Sequence, residues 1–89
     1  MIEIGRTNQF KKDIRKVQRR KKNLEKLKQI IDFLSKDEEL PSKYKDHKLT
    51  GNYTGRRECH IEPDWLLIYK KGENEIILER TGSHSDLFI

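Results

Sequence analysis

The sequence predicts an α+β domain: a small, mainly antiparallel twisted sheet with an N-terminal helix hairpin packed on one face, in the order β-α-α-β-β-β. Apolar side chains recur at helical spacing over residues 10–34, and segments rich in β-forming residues, separated by turn residues, follow over residues 56–81. A chain of 89 residues has the length of one domain, and neither a repeat nor a linker divides it. We therefore expect residues 1–89 to form a single domain with a small core.

The N-terminal third is predicted to be one short strand followed by the helix hairpin. Residues 1–4 alternate between apolar and polar side chains and predict the strand, which Gly5 ends. Thr7 or Asn8 can then cap a first helix, whose narrow apolar stripe consists of Phe10, Ile14 and Val17. The pattern restarts at Asn23, a second candidate cap, and a stronger stripe follows: Leu24, Leu27, Ile30, Ile31 and Leu34. Two helices joined by so short a break are expected to pack on a flat surface as a hairpin.

An irregular connector is predicted between the helices and the main strands. Residues 35–55 are acidic, are interrupted by Pro41 and end among the turn-forming residues Gly51, Asn52 and Gly55. A strand over Arg56–Ile61 follows. Because side chains alternate along a strand, one face presents Arg57, Cys59 and Ile61, and the other presents Arg56, Glu58 and His60.

The last two strands are predicted to form a hairpin. Residues 62–64 make a turn, and Trp65–Tyr69 is continuously apolar, which is typical of a central strand covered on at least part of both faces. Residues 71–74 then turn the chain into a final strand over Glu75–Thr81. With the helix hairpin on one face, the other face or an edge of the sheet is expected to carry the functional site.

The positive charge of the chain is concentrated in one segment. The net charge is +5, and residues 11–28 hold ten Lys or Arg against two acidic residues, whereas the rest of the chain holds ten basic and thirteen acidic residues. Such a segment suits a polyanion such as nucleic acid, and it is equally typical of a solvated helix face.

Cysteine content and hydropathy favour a soluble cytoplasmic protein without a membrane partner. Cys59 is the only cysteine, which excludes an internal disulfide, and the N-terminus has no apolar segment of the secretory kind. No apolar run approaches transmembrane length.

Three histidines are the candidates for chemistry. His47, His60 and His84 all lie in loops or at the ends of predicted elements, outside the apolar stripes. Asp64 follows His60 by four residues across a tight turn, where its carboxylate would favour the charged form of that imidazole. The predicted strand pairing can bring His60, Asp64 and His84 together.

Two chemistries fit this cluster. Metal binding is one, since His, Asp and Cys59 are competent ligands, but Cys59 and His60 are adjacent on a strand and point to opposite faces. General acid–base catalysis is the other, because imidazoles titrate near neutrality. RNA cleavage needs one group that takes the proton of the 2′-hydroxyl and another that protonates the leaving 5′-oxygen. Arg57 and Arg80 are candidates to bind the phosphate.

Short motifs identify a resemblance that extends over the whole chain. "YKDH" at 44–47, "HIEPDW" at 60–65 and "RTGSH" at 80–84 together resemble the YafQ branch of the RelE/ParE superfamily, the toxins of bacterial type II toxin–antitoxin modules. The resemblance implies a RelE-like fold and a ribosome-dependent endoribonuclease that cuts messenger RNA in the A site, without metal or cofactor. It also implies a cognate antitoxin, acidic and partly disordered, and contact with operator DNA only through the toxin–antitoxin complex.

The resemblance assigns roles to particular residues. It implies catalytic roles for His47, His60, Asp64 and His84. It places a base-contacting aromatic on Phe88, and Trp65, at the aromatic position after the aspartate, is a further candidate to contact the substrate. The basic helix segment would contact ribosomal RNA. Tyr53 and Arg56 depart from residues common in the family, which bears on base preference.

Rival functions remain open from the sequence. A basic protein of this kind could bind RNA or DNA without cutting it, or inhibit DNA gyrase as the ParE branch does. A metal-dependent nuclease is a third possibility. The non-cleaving and gyrase-inhibiting alternatives do not require His60, Asp64 and His84 to lie together, and a chelator would separate the metal-dependent nuclease from acid–base cleavage.

Overall fold

The computed structural model describes residues 2–88. Three helices and a five-stranded sheet follow one another along the chain as β1 (Glu3–Arg6), α1 (Asn8–Arg19), α2 (Leu24–Ser35), β2 (His47–Lys48), β3 (Arg57–Glu62), β4 (Trp65–Lys71), β5 (Glu75–Gly82) and α3 (His84–Leu87). Two single turns of 3₁₀ helix, Ser42–Tyr44 and Gly51–Tyr53, lie in the predicted connector. None of the described helices is long and apolar enough to span a membrane.

The sheet has the strand order β1-β5-β4-β3-β2, and only the pairing of β1 with β5 is parallel. The predicted α+β class with a mainly antiparallel sheet is therefore confirmed. β1 starts and ends two residues later than predicted, with Gly5 inside it, because its pairing with β5 begins at Glu3 and Glu75. Met1, part of the predicted strand, lies outside the described residues.

Two elements were not predicted, β2 and α3. β2 is two exposed polar residues paired with β3, so it has no alternating pattern to find. α3 is a single turn at the C-terminal end of β5, too short for apolar spacing to indicate it.

The predicted caps of the first two helices are confirmed. The Thr7 hydroxyl accepts the backbone N–H of Phe10 at 3.0 Å, and the Asn23 carboxamide oxygen accepts that of Glu25 at 3.0 Å. These bonds satisfy N–H groups that have no partner inside the helix. Lys21 has a left-handed backbone (φ 58°) in the break between the helices, which lets α2 fold back beside α1.

β4 lies at the centre of the sheet and is buried on both faces, as predicted. Trp65, Leu67 and Tyr69 belong to the main core on the helix side. Leu66 and Ile68 point the other way and pack with Leu87 of α3. The helix hairpin thus covers one face, while α3 and the connector residues Leu49 and Tyr53 cover part of the other.

A capping box fixes the start of α3. The Ser83 hydroxyl accepts the backbone N–H of Asp86, and the Asp86 carboxylate accepts that of Ser83 at 2.9 Å. Gly82 precedes this box with φ 155°, and a Cβ built on it would lie 2.8 Å from a carboxylate oxygen of Asp86. The absence of a side chain at Gly82 therefore lets Asp86 fold back over the turn.

We expect Gly82→Ala to destabilise the protein more than Gly55→Ala. Both glycines have positive φ and share the backbone cost of a side chain there, but a Cβ on Gly55 meets nothing within 4 Å. The added contact with Asp86 should lower the free energy of unfolding by about 1 kcal/mol more, which is the low end of the range for overpacking. Urea denaturation of the two variants measures this difference, and equal free energies of unfolding would contradict the packing at Gly82.

Candidate active site

Three imidazoles form a row across the open face of the sheet. Ring centroids are 6.2 Å apart for His47 and His60, and 5.9 Å apart for His60 and His84. The ring of Phe88 continues the row 6.2 Å beyond that of His84. Imidazoles from distant parts of the chain thus share one accessible surface.

Strand pairing and α3 bring the three histidines together. His47 lies on β2, whose register places it opposite Glu58 of β3. His60 lies opposite Leu66 of β4, on the face away from the helix hairpin. His84 is the first residue of α3, which packs on that same face. A bulge between His60 and Glu62 also shifts the register here, a feature that commonly re-aims side chains beside functional sites.

Asp64 binds His84 in two ways. Its Oδ1 accepts the backbone N–H of His84 at 2.9 Å and lies 2.7 Å from Nδ1 of the ring. The backbone bond, followed by the ring contact, holds the pKa of Asp64 below its ordinary value. Because Nδ1 is engaged, Nε2 is the ring nitrogen left for proton transfer.

The carboxylate beside His60 is Glu58, which corrects the expectation that Asp64 would serve this imidazole. Oε1 of Glu58 lies 3.1 Å from Nε2 of His60 and 3.9 Å from Nε2 of His47, and the residue is only 5% exposed. The bulge and turn after β3 direct Asp64 to His84 instead. Alternation along the strand places Glu58 on the same face as His60, and this pattern could have identified Glu58 as the partner of His60 from the sequence.

Arg57 lies on the face opposite the histidine row, contrary to the expectation that it binds phosphate there. Its guanidinium donates to Asp46, with the shortest distance 3.0 Å, and the Tyr69 hydroxyl donates to the same carboxylate at 2.6 Å. The sequence predicted that Arg57 shares a face with Cys59 and Ile61, and those residues lie in the helix-side core. Arg57 therefore stabilises the connector rather than the open face.

Arg80 is bound to α1. Its Nε donates to Asp13 at 2.8 Å, and the same carboxylate accepts the backbone N–H of Thr81. Asp13 is the main cause that raises the pKa of Arg80, and the Tyr53 hydroxyl adds to it. Tyr53 meets Phe88 edge to face, with centroids 5.5 Å apart, so Arg80 lies near the Phe88 end of the row.

The two predicted aromatic contacts to substrate differ in location. Phe88 is 43% exposed at the end of the row, where a base can reach it. Trp65 is 1% exposed in the helix-side core, and its indole N–H donates to the Thr81 hydroxyl at 2.9 Å. Burial therefore removes Trp65 from the surface that substrate can reach, and its role is in the core.

Lysines surround the row near His60. A cleft of about 370 Å³ is lined there by His60, the ring of Tyr44 and the lysines Lys26, Lys43 and Lys45. A negatively charged strand that crosses the row would meet these cations.

His47, Glu58 and His60 form a group that could hold a metal ion. One ligand atom from each lies within 4.8 Å of the others, and imidazole with carboxylate suits zinc or copper. Cys59, part of the metal alternative from sequence, is buried in the helix-side core, and burial raises the pKa of its thiol. The metal alternative thus rests on Glu58 in place of Cys59 and Asp64.

We expect Asp64 to titrate below the ordinary aspartate pKa of about 3.9. Its pKa is lowered in the fold, so the bond to His84 contributes stability above the unfolded pKa and loses it as pH falls through the folded pKa. In His84→Ala the backbone N–H remains, so most of the lowering should persist. Carboxyl-carbon NMR against pH measures both titrations, and a wild-type midpoint at or above the ordinary value would contradict the contact.

Comparison with known proteins identifies the family. The family described as "Bacterial toxin of type II toxin-antitoxin system, YafQ" matches residues 2–89. The mRNA interferase toxin YafQ of Escherichia coli (strain K12) is 42% identical over 87 residues, which cover 97% of this chain and 95% of the relative.

Solved structures agree with the fold. The crystal structure of YafQ from E. coli strain BL21(DE3) superposes with a TM-score of 0.95 at 40% identity and covers 100% of both chains. YafQ in the E. coli DinJ-YafQ complex gives a TM-score of 0.92 at 41% identity, again over 100% of both chains. The chain therefore belongs to the YafQ family of bacterial toxins from type II toxin–antitoxin systems.

Proposed function

We propose that this toxin is a ribosome-dependent mRNA interferase, an endoribonuclease that cleaves translated mRNA in the A site by attack of the substrate's own 2′-hydroxyl. The observation that carries the proposal is the row of three imidazoles, with a carboxylate bound to His60 and another to His84, on an open face that ends in an exposed aromatic ring. The relatives in E. coli carry the name mRNA interferase toxin.

His84 is the proposed general acid. Asp64 holds its Nδ1, which leaves Nε2 to donate the proton that the leaving 5′-oxygen requires. His60, with Glu58 beside it, is the proposed general base. It takes the proton of the 2′-hydroxyl. The ring centroids of His60 and His84 lie 5.9 Å apart, so both imidazoles can contact a single phosphate bound beside them.

His47 and the surrounding cations complete the site. His47 shares the carboxylate of Glu58 at 3.9 Å and stands where it can stabilise charge on the phosphate. With Arg57 on the opposite face and Lys26 paired with Glu62, Lys43 and Lys45 near His60 are the cations that meet the backbone of the RNA. Phe88 stacks on a base, which contributes about 1–3 kcal/mol.

The proposed partners follow from this activity. The substrate is messenger RNA bound to the ribosome, so the toxin acts in the cytoplasm. The toxin YafQ of E. coli forms a complex with DinJ. For this chain we propose a cognate antitoxin, acidic and partly disordered, that binds the basic surface, with operator DNA reached only through that complex.

A metal-dependent nuclease is the second candidate, because His47, Glu58 and His60 form a ligand group. The two mechanisms use the same atoms in opposite ways. A metal would bind the imidazole of His60 and the carboxylate of Glu58, the pair proposed as the base, so a metal at this group should inhibit an acid–base nuclease and activate a metal-dependent one.

We expect His84→Ala to lower the single-turnover rate of mRNA cleavage by about 10²–10⁴-fold, the usual contribution of a general acid. The His84 side chain is about half exposed, so its loss should leave the free energy of unfolding within about 0.5 kcal/mol. A reconstituted translation system with a defined mRNA measures the rate. A folded variant that cleaves at the wild-type rate would refute the role of His84, and a wild-type protein that cuts no translated mRNA would favour the non-cleaving or gyrase-inhibiting alternative.

Replacing the 2′-hydroxyl at the cut site by hydrogen should abolish cleavage while binding is kept, because the nucleophile is the substrate's own oxygen. The products should be a 2′,3′-cyclic or 3′-phosphate and a 5′-hydroxyl. A chelator selective for zinc and copper over magnesium should leave the rate unchanged or raise it. Cleavage of the 2′-deoxy substrate would instead support the metal-dependent nuclease. So would a loss of mRNA cleavage when the chelator is added.

A further inference from the structure

His84 and Asp64 lie on two short elements, and contacts with other parts of the fold must hold each of these elements in place. His84 begins α3, a helix of four residues, and Asp64 lies in the turn between β3 and β4. Both side chains are more than half exposed. Whatever holds these two elements therefore sets the geometry of the proposed general acid.

α3 is held to α1 through Asp86. Arg20 donates from Nη1 at 2.6 Å and from Nη2 at 3.1 Å to the two carboxylate oxygens, and Lys16 lies 3.0 Å from one of them. The same carboxylate accepts the backbone N–H of Ser83 in the capping box. Arg20 is the largest cause that keeps the pKa of Asp86 far below its ordinary value. The group that begins α3 is thus bound by Lys16 of α1 and by Arg20, the residue that caps the C-terminal end of that helix.

The turn that carries Asp64 is held in a similar way. Glu62, two residues before Asp64, accepts from Lys22 at 3.0 Å and from Lys26 at 2.8 Å. Lys26 lies on α2, and Lys22 lies in the break between the helices. These bonds lower the pKa of Glu62, chiefly through Lys26. Each half of the pair is therefore joined to the helix hairpin by one carboxylate with two cations.

We infer that Lys16, Arg20, Lys22 and Lys26 are positioning residues of the nuclease: the helix hairpin holds α3 and the β3–β4 turn so that His84 meets Asp64. This inference rests on the proposed function. It gives the basic segment a second use, because four of its cations bind carboxylates beside the active site.

Such ion pairs are exposed and contribute little to global stability, typically about 0–1 kcal/mol each. Their effect on the reaction can be much larger, because a misplacement of about 1 Å in a catalytic group can cost 10²-fold in rate. The bidentate contact from Arg20 fixes direction as well as distance. Loss of a holding cation should therefore act on turnover more than on folding.

The test compares Arg20→Gln with Arg19→Gln. Arg19 is the adjacent residue of α1, and the described part of the chain offers it no ion pair, so its variant reports the loss of one positive charge alone. We expect kcat of Arg20→Gln to fall about tenfold below that of Arg19→Gln with KM equal in the two, a difference that corresponds to 1.4 kcal/mol. Arg20→Lys keeps the charge without the bidentate contact and should recover part of the rate.

The turn is tested with the double variant Lys22→Gln, Lys26→Gln. Its control is Lys28→Gln, since Lys28 pairs only with Glu25 of its own helix among the described residues. The kcat of the double variant should fall below that of the control, and KM should be equal in the two.

The titration of Asp64 by NMR gives a readout that needs no RNA. Arg20 also attracts the Asp64 carboxylate directly, so the titration is compared in variants that keep the charge. If the hairpin holds the pair together, Arg20→Lys moves the Asp64 pKa up toward its ordinary value, whereas Arg19→Lys leaves it low. Lys16→Gln, a milder change at the same carboxylate, replaces Arg20→Gln if that variant does not fold. Equal kcat and equal Asp64 titration in test and control variants would overturn the inference. A normal Asp64 shift in a protein without nuclease activity would refute the proposed function and leave the positioning contact intact.

Discussion

The burial of β4 on both faces is the constraint on which the rest of the structure depends. A sheet in so small a domain needs cover on each side of its central strand, and the helix hairpin can supply only one side. On the other side Leu66 and Ile68 are covered by Leu87 of α3, with Leu49 and Tyr53 of the connector packed beside them. The same contact that completes the core therefore delivers His84 to the open face.

The candidate site is built around this small cover. α3 brings His84 and Phe88, and the strands bring His47, Glu58 and His60 to the surface beside it. The carboxylates are divided between the imidazoles, with Glu58 at His60 and Asp64 at His84. Such a division gives two imidazoles different environments, which is how one site can hold both a base and an acid. The basic segment serves this arrangement through Asp86 and Glu62 as well as offering charge to RNA.

Local patterns in the sequence were enough for most of the fold. Apolar spacing and the caps Thr7 and Asn23 predicted both long helices, and the continuous apolar run predicted β4 as a buried central strand. β2 could not be predicted, because it exists only through its pairing with β3. α3 did leave a trace in the pattern Ser83-x-x-Asp86, a capping box that hydrophobic periodicity does not detect.

The site was predictable in composition but not in its contacts. The motifs and the resemblance they carry selected the three histidines, Asp64 and Phe88, and the structure places these residues along one face. The partners of Arg57, Arg80 and Asp64 depend on residues far along the chain, which no local spacing encodes. The burial of Trp65 followed from the apolar run itself, whereas the resemblance pointed it toward substrate.

The most direct test of the proposed mechanism asks whether His84 protonates the leaving oxygen. An mRNA with a bridging sulfur in place of the 5′-oxygen at the cut site has a leaving group that needs no proton. Single-turnover cleavage of this substrate should be nearly as fast in His84→Ala as in the wild type, whereas the oxygen substrate is cleaved slowly by the variant. An equal defect on both substrates would show that His84 does not act as the general acid.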